Sequence, residues 1–247
     1  MTVSTWACVT SQNQYYYDLI GEVMLKSWSR YWPQPDQMYL YAEEFRPEEI
    51  SRVNIVDWTE TCHSRWLPFS QRAEHPYALK FGKKAWATVH ALRNIDVDYL
   101  VWLDSDLLFW NDIPRADLER SIAKHHLIAL FDSDLGSKEG RELWSAESGY
   151  VVFNRRHPQF DAFVDQYEAY MAAETKPTGT LHWWDNQVLM LTASHYLDSV
   201  HDLTVYRERK TQTPLNHCWL GRHMGHYKSG NKNRITREEQ LARAGIL

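Results

Sequence analysis

No apolar stretch in the sequence approaches the roughly 20 residues that a bilayer-spanning helix requires. The longest uninterrupted runs, such as Tyr99 to Leu103, are far shorter, and no membrane helix is expected. Met1 to Thr10 lacks a basic segment followed by a sustained apolar run, so no secretory signal is expected. Cysteine is scarce. Cys8, Cys62 and Cys218 are far apart and form no Cys-x-x-Cys pair, which argues against a disulfide framework or a zinc–thiolate site and suits a reducing cytoplasm. Internal repeats, low-complexity tracts and a linker-like segment are also missing, so one domain spanning 1–247 is the simplest organisation.

Aromatic residues are what the chain has in excess. Among 247 residues there are 12 Trp and 14 Tyr, while the hydrophobic fraction of 44% and charged fraction of 24% are ordinary for a globular protein. Trp and Tyr join an apolar face to a polar tip and often line sites that hold sugars or bases, although each can equally be a core residue. The net charge of −5 is unevenly spread: between Arg207 and Arg237 eight basic residues face one acid, Glu208. Such a cationic segment suits phosphate, whether of a nucleotide, a nucleic acid or a lipid head group.

Periodicity alternates between strand and helix. Trp6 to Val9 reads as a strand, Thr10 to Asn13 as a polar turn, and Tyr17 to Tyr31 as a helix closed by Pro33 and Pro35. Short strands follow at Met38 to Tyr41 and Val53 to Val56, then helical spacing from Ala78 to Leu92. Asp98 to Asp104 is near-continuously apolar, as in a strand buried on both faces of a parallel sheet. Leu127 to Phe131 and Tyr150 to Phe153 read as buried strands, Gln159 to Ala173 and Trp184 to Tyr196 as helices, and the tail from Gly221 as loop. The fold class is α/β: a central, mostly parallel mixed sheet flanked by helices.

The sharpest chemical feature is Asp104-Ser105-Asp106 at the carboxyl end of the most apolar strand. Ligands in open α/β sheets bind beyond that edge. Carboxylates one residue apart can cap a turn, but where the strand turns they can also share a hard divalent cation that bridges to a diphosphate. A second Asp-Ser-Asp, Asp132 to Asp134, is the rival.

The run Tyr99 to Phe109 resembles the aspartate-x-aspartate strand of the GT-A glycosyltransferases. Glu147-Ser148-Gly149 through Asn154 is similar to the serine-glycine-strand-asparagine segment that follows it there. Trp184-Asp185-Asn186-Gln187 resembles the aspartate and glutamine motif of the retaining members, in the style of glycosyltransferase family 8, and the likeness covers roughly residues 78 to 230. It implies a Rossmann-like donor half over about 1–110, an acceptor half over about 111–247, and transfer of a sugar from a UDP-type nucleotide-diphosphate donor with Mn²⁺ or Mg²⁺. In that scheme Asp104 and Asp106 hold the metal, a histidine from the C-terminal loop completes it, and Lys228 faces the diphosphate; His226 is preferred over His223. Asp104 and Ser105 would also touch the donor, as would Lys80, with Thr10 and Tyr16 near its base or ribose. Asp185, Gln187 and Glu147 are the candidates for catalysis, and the Asp185 to Gln187 match leans toward retention. The acceptor stays open between a glycan, a protein, a lipid-linked saccharide and a hydroxymethylated DNA base. A nucleotidyltransferase is an alternative, but Thr10 to Gln14 has no glycine-rich phosphate loop. A non-catalytic nucleic-acid module built on the basic tail is another.

Overall fold

The structure is a computed structural model, and it describes residues 4–73, 75–132, 146–180, 182–206, 213–227 and 235–247. The chain begins with β1 (Trp6–Asn13), then α1 (Gln14–Tyr16), a π-helical turn (Tyr17–Gly21) and α2 (Glu22–Tyr31), one helical stretch in all. Thr10 to Asn13 are therefore strand rather than turn, because β2 (Gln37–Glu43) pairs with β1 in parallel as far as Asn13 opposite Glu43. Next come β3 (Val53–Asp57), α3 (Trp58–Arg72), α4 (Pro76–Asn94), β4 (Tyr99–Leu103), β5 (Leu107–Phe109) and α5 (Arg115–Glu119). The second half adds β6 (Ile128–Asp132), β7 (Ala146–Asn154), α6 (Phe160–Ala172), α7 (Asp185–Ala193), β8 (Val200–Asp202), β9 (Met224–His226) and α8 (Arg237–Arg243).

Seven strands form the main sheet in the order β3-β2-β1-β4-β7-β6-β8, parallel except for β7, which runs against both of its neighbours. Strand side chains alternate between the two faces, and the packing follows that alternation. Ala7, Val9, Leu100 and Trp102 pack on α3, α4, α6 and α7, whereas Trp6, Cys8, Tyr99, Val101 and Leu103 pack on the face that carries α2 and α5. Helices thus cover both faces, which is why β4 reads as apolar at every position.

The tail departs from the loop that its composition suggested. Met224 to His226 form β9, an antiparallel partner of β5, with Leu107 opposite His226. The last helix, α8, is closed by a capping box between Thr236 and Glu239. All three cysteines are free and buried. Among the described residues no helix is long and apolar enough to cross a membrane.

A histidine cluster lies by β6 and β8, with His126 stacked on His201 at 4.5 Å and close to His125 at 4.0 Å. His201 donates from Nδ1 to the Ser121 carbonyl at 2.9 Å if that nitrogen carries the proton. Burial, with positive charge at His201, His125 and His157 adding to it, holds the His126 imidazole down to about 4 from its ordinary 6.5. Between those two values the unfolded chain binds a proton that the folded protein refuses. Stability therefore falls as pH drops from about 6.5 toward 4. Urea midpoints at pH 7 and pH 5 should show this loss, and His126→Gln should make it smaller; an unchanged pH dependence would refute the assignment.

Candidate active site

The turn after β4 creates the centre. The Asp104 amide still bonds the Gly149 carbonyl of β7 at 2.9 Å, and the Leu107 amide returns to the Asp104 carbonyl at 3.3 Å. Asp104, Ser105 and Asp106 thereby face a cleft of about 740 Å³ at the carboxyl edge of the parallel strands, where Ser11 to Asn13 and Glu43 also end. β9 closes this centre from the other side. The Tyr227 amide bonds the Asp106 carbonyl at 2.9 Å, and Asn216 holds both the His226 amide (2.6 Å) and the His226 carbonyl (3.1 Å). His226 Nε2 then lies 2.8 Å from Asp106 Oδ1 and 3.9 Å from Asp104 Oδ2.

One ligand atom from each of Asp104, Asp106 and His226 falls within 4.8 Å of the others, a group able to hold a metal ion. Two carboxylates and an imidazole fit a divalent cation of the Mg²⁺ or Mn²⁺ type. Burial would lower the His226 pKa, but Asp106 and Asp104 outweigh burial and the opposing Lys84, so the imidazole is held above its ordinary range. His223 does not compete, since its Nε2 is 3.1 Å from Asp117 Oδ2, away from the two aspartates. The ring of His226 lies so close to the backbone of β7 that a Cβ at Gly149 would sit 2.4 Å from its Cε1, so only glycine fits there.

A residue that the sequence did not single out organises the cleft. Lys84, one turn after Lys80 on α4, is partly buried and donates from Nζ to Asp104 Oδ1 at 2.7 Å and to the Ser148 carbonyl and hydroxyl at 2.9 Å. It also pairs with Asp185 Oδ2 at 3.1 Å, and the Ser148 hydroxyl donates to that same oxygen at 3.0 Å. Burial pulls the ammonium down, yet Asp104 and Asp185 more than offset it, so Lys84 stays charged. Trp102 Nε1 donates to Asp104 Oδ1 at 2.9 Å, leaving Oδ2 toward His226. The i, i+4 spacing of Lys80 and Lys84 was the available sign, because it puts both on one helix face.

The other expected residues divide. Tyr16, Lys80 and Ser105 line the cleft, with Lys80 Nζ donating to the Tyr16 hydroxyl at 2.6 Å. Thr10 does not line it: the side chain is fully buried within β1. Glu147 reaches the cleft wall, but its Oε1 accepts from the Gly149 amide and lies 3.2 Å from His226 Nδ1. The ring nitrogen is off line for a hydrogen bond, so this is a charge contact. Asp185 lines the cleft, whereas Gln187 is turned away, accepting from the His182 amide at 2.7 Å; the amide side chain that faces the cleft is that of Asn186. Lys228 lies outside the described residues, as do Ser133 and Asp134 of the rival Asp-Ser-Asp and most of the basic tail. Of that tail, Arg237 is engaged with Glu22.

No protein-family model matches the sequence, and no curated protein matches it. Among solved structures the chain is similar to the galactosyltransferase LgtC crystallised with donor and acceptor sugar analogues, at 13% identity and a TM-score of 0.60 over 98% of this chain and 96% of that one. It is similar to the bifunctional glycosyltransferase WbbM (13% identity, TM-score 0.63, 98% of this chain), but spans only 50% of that protein. Mouse xyloside xylosyltransferase 1 matches at 11% identity and a TM-score of 0.52, over 81% of this chain and 85% of that one. At such identities the likeness is one of fold, and the fold is that of the GT-A glycosyltransferases.

Proposed function

We propose that the protein is a divalent-cation-dependent glycosyltransferase that moves a sugar from a UDP-type donor to an acceptor hydroxyl with retention of configuration. The observation that carries this is the convergence of Asp104, Asp106 and His226 at the carboxyl edge of the sheet, inside the cleft. A cation held there supplies charge neutralisation at the departing diphosphate.

The chain's own residues do the rest. Tyr16, at the end of α1, and Lys80, on α4, border the donor's end of the cleft. Lys84 ties Asp104 to Asp185, fixing the carboxylate edge before substrate arrives. Retention is supported by what the two candidate bases already do. Asp185 accepts from Ser148 and Lys84, and Glu147 faces His226, which leaves the departing diphosphate to take the acceptor's proton. On this reading the halves about 1–110 and 111–247 act as one unit, the first chiefly for donor and the second chiefly for acceptor, with the cleft shared between them.

The test is thermal unfolding with UDP or UDP-sugars, with and without Mn²⁺. A ligand bound only by the folded state raises the melting temperature, and saturation to 100 times Kd stabilises by about 2.7 kcal/mol. A shift that needs both UDP and Mn²⁺ is expected; no shift with any nucleotide sugar sinks the proposal.

A further inference from the structure

Tyr77, Phe81 and Trp184 form an aromatic wall of the cleft that the chemistry above leaves unused. Tyr77 and Phe81 are four residues apart at the start of α4 and so share a face. Trp184 caps the start of α7, immediately before Asp185. Its indole stacks on His182 at 4.3 Å and 16°, with Tyr77 edge-on at 5.8 Å and Phe81 at 6.0 Å. Trp184 Nε1 is buried with no hydrogen-bond partner among the described residues, so stacking alone fixes the ring. Tyr77 nevertheless remains 54% exposed, an apolar surface left for something to cover.

Resting on the glycosyltransferase reading, we propose that this wall is the acceptor subsite and takes a neutral sugar ring. Position is the first reason: Trp184 adjoins Asp185, which Lys84 ties to Asp104, so a ring laid on the indole lies beside the reacting centre. Charge is the second. Among the described residues the cleft is lined by five carboxylates (Glu43, Asp104, Asp106, Glu147, Asp185) against three lysines. Two of those lysines are already spent, Lys83 on Glu43 and Lys84 on Asp104 and Asp185. Nucleic acid needs cations along its track, and among the described lining lysines only Lys80 is not already paired with a carboxylate. A neutral sugar presents C–H faces to the rings and hydroxyls to the carboxylates. In the transfer the acceptor's hydroxyl oxygen bonds the anomeric carbon, the bond from that carbon to the diphosphate breaks with its electron pair on the diphosphate, and the hydroxyl proton leaves with the nucleotide.

The experiment measures UDP release from UDP-sugars with Mn²⁺ in the presence of neutral methyl glycosides and disaccharides, and separately of a single-stranded oligonucleotide. At least one neutral saccharide should accelerate release above hydrolysis. Trp184→Ala should raise its KM at least about tenfold, a loss of the size that one aromatic contact contributes. Trp184→Phe should stay within about threefold of wild type, since a ring face remains. Both variants should keep the melting shift given by UDP with Mn²⁺. The proposal is overturned if no saccharide accelerates release while UDP with Mn²⁺ still binds, if the oligonucleotide alone does so, or if Trp184→Ala also loses the UDP shift, because the wall then holds the donor base. If wild type gives no UDP shift at all, the glycosyltransferase premise has failed rather than the placement of the acceptor.

Discussion

Asp106→Asn should abolish the Mn²⁺-dependent melting shift given by UDP and slow sugar transfer by ~1000-fold or more, which corresponds to the several kcal/mol that a cation contributes at a leaving diphosphate. Asp106 is buried beside His226, with Oδ1 2.8 Å from Nε2. Asn keeps the shape and removes the charge, so the side chain can still bond the ring but no longer holds a cation against the field of Lys84. His226→Gln should behave alike. The control is the melting temperature without ligand, which separates a lost site from a lost fold. Retention of the UDP–Mn²⁺ shift in Asp106→Asn would show that the cation, if bound, sits elsewhere.

The second large effect is on stability as well as activity. Lys84→Met leaves Asp104 and Asp185 facing each other without the ammonium between them, and removing one member of a buried ionic cluster costs about 3–5 kcal/mol. The variant should therefore unfold at a lower urea concentration than wild type, and an unchanged midpoint would mean that the ionic cluster contributes nothing to stability. Lys84→Arg should not restore transfer, because a planar fork cannot replace a point charge that meets Asp104, Ser148 and Asp185 at once.

Several parts of this site were legible in the order of residues. Asp104 and Asp106 follow the most apolar strand, and the need to hide Tyr99 to Leu103 on both faces puts the aspartates at the sheet edge. His226 was preferred over His223 from its neighbours, and the strand β9 brings His226 to Asp106 while His223 meets Asp117. Lys84 was passed over because a helix lysine is ordinarily a solvated charge, and it is withdrawn from solvent only by the packing of α4 against β1 and α7. Asn186 rather than Gln187 faces the cleft because α7 starts at Asp185, and that start fixes which side chains turn outward. Helix α3 escaped because Pro68 interrupts its pattern, though Asp57 at its N-cap, accepting from the Glu60 amide, was a visible sign.

By itself the sequence determined the layer pattern, the most buried strand and the two aspartates at its end, because burial demands and strand alternation are written locally. Only the tertiary structure decided that a lysine from α4 would tie Asp104 to an aspartate from α7. Partners so far apart in the chain are chosen by how strands and helices stack, and no local spacing carries that information.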